Sequence, residues 1–318
     1  MKMQIIDFLS VLMLTIVFAS CEHKELCYDH SHMVELDVRF DWSSAPDANP
    51  ITMSLYLIPK GGGETTRYEF TKRSGGKIIV PAGSFHAVCV NGGIRNMECR
   101  NTGDINTFEI TTTDSEMLQT LSALGLSHKI TSRDEDVGDS RVVVAPEVMW
   151  STCVVDLEFS KDSLHNISMQ PKQIIEEVTL NISDIENLES VQYMSALLHG
   201  VSGGYYPGRD KISEERVILP FEFDINKDEG SIEGTFRTFG HCEDSDGAHI
   251  LSIYALLKDG SEWNYTMDIT EDIHKSDDST MAWDVKMSGL PIPEVITGGG
   301  GLQPTVSQWE TYEIPVQM

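Results

Sequence analysis

Val34, Leu36, Val38, Phe40 and Trp42 alternate with Glu35, Asp37, Arg39 and Asp41. A period of two puts the apolar side chains on one face of an extended strand and the charges on the other. Such a segment is satisfied only in a sheet that packs one face against apolar material and wets the other. The same period returns in Met53-Leu55-Leu57, Val155-Leu157-Phe159, Val178-Leu180-Ile182, Phe221-Phe223-Ile225, Trp263-Tyr265-Met267-Ile269 and Trp283-Val285-Met287. Turn signals separate these runs: Lys60-Gly61-Gly62-Gly63, Ser74-Gly75-Gly76, Asn91-Gly92-Gly93, Lys227-Asp228-Glu229-Gly230 and Lys258-Asp259-Gly260-Ser261. Their spacing is that of antiparallel sandwiches. A helical period stands out from about Ser115 to Leu124, where Met117, Leu118, Leu121 and Leu124 share a face. The acidic stretch 133–139 reads as a solvated loop, followed by a strand over 141–145. The expected class is all-β with few short helices.

The first residues are of another kind. Lys2 precedes an apolar run from Phe8 to Phe18, about 11 residues against the roughly 20 needed to span a bilayer. Phe18-Ala19-Ser20-Cys21 closes it with small side chains. The pattern is a lipoprotein signal peptide over 1–20 with Cys21 as the lipidated first residue of the mature chain and 21–32 as a linker. Phe18, where Leu is commoner, and Asp7 keep an ordinary cleaved signal as the alternative.

A mature chain of this length exceeds what one core organises. Two sandwiches are therefore expected, over 33–150 and 151–318, with a boundary near Pro146 to Thr152. The chain carries 23 Lys and Arg against 50 Asp and Glu, a formal charge of −27. Such a field repels phosphate backbones and excludes nucleic acid as a partner. With Cys21 lipidated, Cys27, Cys89, Cys99, Cys153 and Cys242 remain, an odd set that cannot pair completely. Cys89 and Cys99 flank Asn91-Gly92-Gly93 and either bridge a hairpin or fill core positions.

Motifs of catalysis lack their context. Gly200-Val201-Ser202-Gly203-Gly204 matches the nucleophile-elbow spacing, but Tyr205-Tyr206-Pro207-Gly208 cannot start the helix that the elbow requires. Gly298 to Gly301 is not followed by Lys-Ser or Lys-Thr and reads as a linker. Asp244-Ser245-Asp246-Gly247 lacks the later bidentate Glu of a calcium loop. His23, Cys27, His30 and His32 place four borderline metal ligands within ten residues, with Cys27-x-x-His30 at zinc-site spacing. No second matching pair follows, and a packed linker is the simpler reading. No cofactor is expected beyond the covalent lipid on Cys21, and no enzymatic activity.

The segment Cys21-Glu22-His23-Lys24-Glu25-Leu26-Cys27-Tyr28-Asp29-His30-Ser31-His32, with the strand ending Phe40-Asp41-Trp42, resembles a family of Bacteroidales lipoproteins built on a domain of unassigned function. Ser54-Leu55-Tyr56-Leu57-Ile58-Pro59, Val80-Pro81-Ala82-Gly83-Ser84-Phe85 and Gly234-Thr235-Phe236-Arg237-Thr238-Phe239-Gly240-His241 carry the same likeness, as does Pro304-x-Val306-x-x-Trp309 after the glycine run. That family in turn resembles the fimbrillin superfamily, above all its minor-fimbria anchor proteins.

The resemblance implies two tandem transthyretin-like antiparallel β-sandwich domains on a lipidated N-terminus. It also implies a surface-exposed place on the cell outer membrane, held by the lipid, and a part in fimbria assembly and adhesion. In that superfamily stalk subunits lose their first strand to an arginine-specific protease and a neighbour's strand fills the groove, whereas anchor subunits keep theirs. Fimbrial subunits are thus the implied partners, met by β-strand addition. The corresponding strands here are Val34, Leu36, Val38, Phe40 and Trp42 at one end and Tyr312, Ile314, Val316 and Met318, within a terminal strand over 306–318, at the other. This last strand either leaves for a neighbour or completes its own sandwich. A surface carbohydrate-binding lipoprotein is the alternative, with Trp150, Tyr205, Tyr206 and Trp263 as candidate sugar platforms.

Overall fold

The computed structural model describes residues 33–115, 140–161, 163–241, 248–274, 282–295 and 310–313. Cys21, the group His23, Cys27, His30 and His32, the helix expected beyond Ser115, and Ile314, Val316 and Met318 lie outside the described residues. Among the described residues nearly everything regular is β, as the alternation requires, and no helix is long and apolar enough to cross a membrane.

The first ten strands are β1 (Met33–Phe40), β2 (Thr52–Pro59), β3 (Thr66–Phe70), β4 (Gly75–Pro81), β5 (Gly83–Gly92), β6 (Met97–Arg100), β7 (Glu109–Thr112), β8 (Trp150–Phe159), β9 (His165–Met169) and β10 (Lys172–Gln173). Eight of them make a sandwich from a three-stranded sheet, β4-β1-β9, and a five-stranded sheet, β10-β8-β5-β2-β3. Its core joins Val34, Leu36, Val38 and Phe40 of β1 to Met53, Leu55 and Leu57 of β2, Ala87 and Cys89 of β5, and Ile167 and Met169 of β9. Close approach of β1 and β4 depends on Gly75. Its φ is +94°, and a Cβ there would sit 2.1 Å from the Val38 carbonyl oxygen.

The chain continues through β11 (Glu176–Ser183), β12 (Val191–Ser202), β13 (Gly204–Tyr206), β14 (Lys211–Ile212), β15 (Arg216–Glu222), β16 (Asp224–Asn226), β17 (Ser231–Thr238), β18 (Ile250–Leu257), β19 (Glu262–Asp268), the single-turn helix α1 (Thr270–His274), β20 (Ala282–Ser288) and β21 (Glu310–Glu313). Sheets β16-β17-β11-β20 and β15-β12-β18-β19-β21 face each other as a second sandwich. Val178, Leu180 and Ile182 of β11 and Phe236 of β17 pack with Met194, Ala196 and Leu198 of β12, Leu251 and Ile253 of β18, and Tyr265 and Met267 of β19. One pairing rule recurs in both units. β1 lies antiparallel to β4 and parallel to β9, and β11 lies antiparallel to β17 and parallel to β20.

A third sheet, β14-β13-β7-β6, draws two strands from each half of the chain. It lays Phe108, Ile110 and Tyr205 over the outer face of the first sandwich, against Ile58 of β2 and Val88 and Val90 of β5. For that reason β5 is buried on both faces along most of its length, where the simple alternation would leave one face wet.

The expected division at 150/151 cuts through this arrangement. β8 pairs with β5 from Ser151 to Phe159, and β9 pairs with β1, so residues 150–173 belong to the first sandwich. Pro146 precedes the last strands of that unit rather than ending it. Two local expectations also change. Residues 141–145 form only isolated bridges, Val142 with Ile218 and Val143 with Asp114. The alternation Val155-Leu157-Phe159 breaks at a register shift opposite Phe85 and Ala87, where Asp156 has φ 58°. The bulge turns Val155 to solvent at 50% exposure while Phe159 stays buried.

Candidate strand-exchange site

The alternation in β1 places Val34, Leu36, Val38 and Phe40 on the inner face, and Leu36 and Val38 are wholly buried. Both backbone edges of the strand are occupied, one by β4 from Met33↔Pro81 to Arg39↔Gly75, the other by β9 from Leu36↔His165 to Phe40↔Met169. Trp42 lies just beyond the strand, and its indole N–H donates to the Arg73 carbonyl at 2.7 Å. The Arg73 guanidinium covers the ring at 5.1 Å and donates to the carbonyls of Ala48 and Pro46. Phe40 meets Phe70 edge-on at 5.5 Å, and Trp42 meets Trp150 at 6.3 Å. The five residues singled out in the sequence thus stand together as one apolar row, closed at its end by a stacked arginine.

The opposite terminus is arranged differently. β21 runs parallel to β19, with Trp263↔Glu310, Asn264↔Thr311, Tyr265↔Tyr312 and Thr266↔Glu313. It is the outermost strand of its sheet, so one of its backbone edges carries no strand among the described residues. An edge of this kind is the geometry to which an extended segment adds.

The four candidate sugar platforms do not share a face. Trp150 packs at the first core, Tyr205 in the core under the third sheet, and Trp263 against the second core. Tyr206 lines a polar cleft of about 380 Å³ with Arg100, Glu109, Lys211 and Glu215, but Arg209 lies over its ring at 5.3 Å. Ser202 is buried, and its hydroxyl donates to the Ser213 carbonyl at 2.7 Å. Ser202 ends β12, and its hydroxyl is held by backbone carbonyls. Cys89 and Cys99 are both free thiols. Cys89 points into the first core, whereas Cys99 packs beside Tyr56 under the third sheet, and burial pushes both thiols up.

The family described as Domain of unknown function (DUF5119) matches residues 20–222, well over half of the chain. The chain belongs to that family. The DUF5119 match runs from the residue before Cys21 through the first sandwich, the third sheet and β15. Over 97% of its length the chain is 20% identical to a Bacteroides ovatus protein named "putative fimbrium anchoring subunit Fim4B", and the alignment covers 98% of that protein. The crystal structure of "a putative adhesin" from Bacteroides ovatus matches 88% of this chain and 99% of its own, with TM-score 0.62 and 17% identity. A Bacteroides thetaiotaomicron structure described as "putative polysaccharide binding proteins" matches 80% of this chain and 89% of its own, with TM-score 0.50 and 10% identity. At these identities the structural likeness speaks for the fold.

Sequence reasoning missed the buried histidines of this DUF5119 chain. His199, His241 and His249 are at most 7% exposed, and Nδ1 of both His199 and His249 has no hydrogen-bond partner. Burial pulls the His199 imidazole down to about 4. His249 also falls to about 4, through burial first and then the positive charge of Arg216 and the neighbouring His274 and His241. Residues 199, 241, 249 and 274 share no short spacing, so no linear motif betrays them.

Proposed function

We propose that this protein is a non-enzymatic, lipid-anchored accessory or anchoring subunit of a surface fimbria, mounted on the outer membrane through Cys21. The observation that carries the reading is the setting of β1. Its apolar row is buried and both of its edges are hydrogen-bonded within the same chain, the state of a subunit that keeps its first strand. A strand so held is not an exchangeable one, because its removal would open two backbone edges and the centre of a core at once. The full-length likeness to the Bacteroides ovatus protein named "putative fimbrium anchoring subunit Fim4B" supports the same assignment.

In this reading the polymer is met at the C-terminal strand, where β21 forms a sheet edge and the sequence carries on through Ile314, Val316 and Met318. The partner is a fimbrial subunit that adds a strand there or receives this one. The test removes residues 308–318, and separately converts Ile314→Asp, in cells that make the fimbria. Loss of fimbriae from the cell surface, with the isolated variant still folded by circular dichroism, is the expected result. Normal fimbriae on both variants would remove the terminal strand as the docking element.

A further inference from the structure

His241, His249 and His274 converge from three separate elements. His241 follows β17 and forms an isolated bridge to Val201, His249 immediately precedes β18, and His274 ends α1. Their ring centroids are 5.2 Å (His249 to His274), 5.3 Å (His241 to His274) and 5.9 Å (His241 to His249) apart. Nε2 of His249 and Nε2 of His274 are 3.2 Å apart. Three imidazoles on one tetrahedral ion, with metal to nitrogen about 2.0–2.1 Å, hold their nitrogens about 3.3 Å and their ring centres about 5.2 Å apart. The observed triangle has that size.

The arrangement is built into the backbone. The His249 N–H donates to Thr270 Oγ1 at 2.7 Å, and the Ile269 N–H donates to the His249 carbonyl at 2.9 Å. The strand entrance and the helix start are thereby clamped together, which sets His249 against His274. The His249 ring needs the space that Gly200 leaves. A Cβ at Gly200 would stand 2.9 Å from its Nδ1, and Gly200 has φ +92°. With Nδ1 turned to that backbone, wholly buried and without a partner, Nε2 is the nitrogen that faces His274. His274 is exposed and gives access from solvent.

We propose that His241, His249 and His274 form a binding site for a zinc-like divalent transition-metal ion, with Nε2 of His249 and of His274 as the preset pair and His241 as the third ligand. Among the described residues no group of three His, Cys, Asp or Glu side chains stands ready to hold a metal ion, and His241 already has an interaction of its own, so the site requires His241 to give up that contact and turn toward the ion. The Arg216 guanidinium, which donates to the Ala248 carbonyl, is the charge that opposes a cation here. The Glu176 carboxylate lies against Gly240, the residue before His241. Imidazole nitrogen donors suit zinc better than calcium or magnesium, which take oxygen donors. Bound, the ion would pin the β17–β18 connection to α1 at one end of the second sandwich. The inference does not depend on the fimbrial reading.

The full chain without an added histidine tag is the test material, in a background carrying His23→Gln, Cys27→Ser, His30→Gln and His32→Gln so that the N-terminal ligands cannot contribute. Zinc should then bind with a stoichiometry of one and raise the unfolding temperature, and cobalt(II) in its place should give tetrahedral ligand-field absorption. His274→Gln, a change at an exposed position, should weaken zinc binding by more than about tenfold, as should His241→Gln, with the metal-free unfolding temperature of the His274 variant unchanged. Absence of saturable zinc binding in this background would overturn the site. So would zinc affinity unaltered by both substitutions.

Discussion

The buried imidazoles make stability depend on pH in a calculable way. His199 is 5% exposed on β12, and burial lowers its folded value from 6.5 to about 4. Between those values the unfolded chain binds the proton and the folded chain does not. The contribution is therefore fully present above about pH 6.5 and is lost as pH falls toward 4. At about pH 5 a single group with this shift has surrendered about 2 kcal/mol relative to neutral pH, and His249 adds a loss of the same order. Replacing His199 with Gln keeps a neutral polar side chain of similar reach and removes the titration. Urea unfolding of wild type and His199→Gln at about pH 7.5 and about pH 5 isolates the effect, since carboxylate titrations are common to both. The wild type should lose about 2 kcal/mol more than the variant between the two conditions. The variant's lower starting stability does not matter, because only the change with pH is compared. Parallel losses, or a His199 ring resonance that titrates near 6.5, would refute the argument that this imidazole is held neutral by burial.

Leu36→Ala, at a position with no exposure in the middle of β1, should cost about 2–5 kcal/mol by urea denaturation; a loss under about 1 kcal/mol would mean that β1 is loosely held and would weaken the anchor reading. Gly75→Ala should destabilise by more than the 1–3 kcal/mol of its φ alone, because the new Cβ meets the Val38 carbonyl at 2.1 Å, and near-normal stability would show that β1 and β4 can separate. Cys21→Ser should abolish fatty-acid labelling and release the protein from the membrane fraction or leave its precursor uncleaved; retention in the outer membrane with no lipid on either form would exclude lipid anchoring.

What the sequence determines here is local. Side chains on a strand alternate whatever the strand pairs with, so Val34 to Phe40, Val178 to Ile182 and Tyr265 to Ile269 declare strand, inner face and outer face by themselves. The apolar row of β1 was legible in full, and so was the absence of a helix behind Ser202. Pairing partners are not local. β1 lies beside β9, whose first residue is more than a hundred positions away, and nothing in either segment names the other. The third sheet arises because β6 and β7 meet β13 and β14 in space, which buries β5 on both faces and moves residues 150–173 into the first sandwich. One shift of register at Asp156 sends Val155 outward against its own alternation. The histidines show the same limit. His241, His249 and His274 come from a strand end, a strand entrance and a short helix, and only the packing of one sandwich end brings their rings within 6 Å. Periodicity records which face a residue prefers, whereas contact between distant residues is decided by which sheets close over which cores.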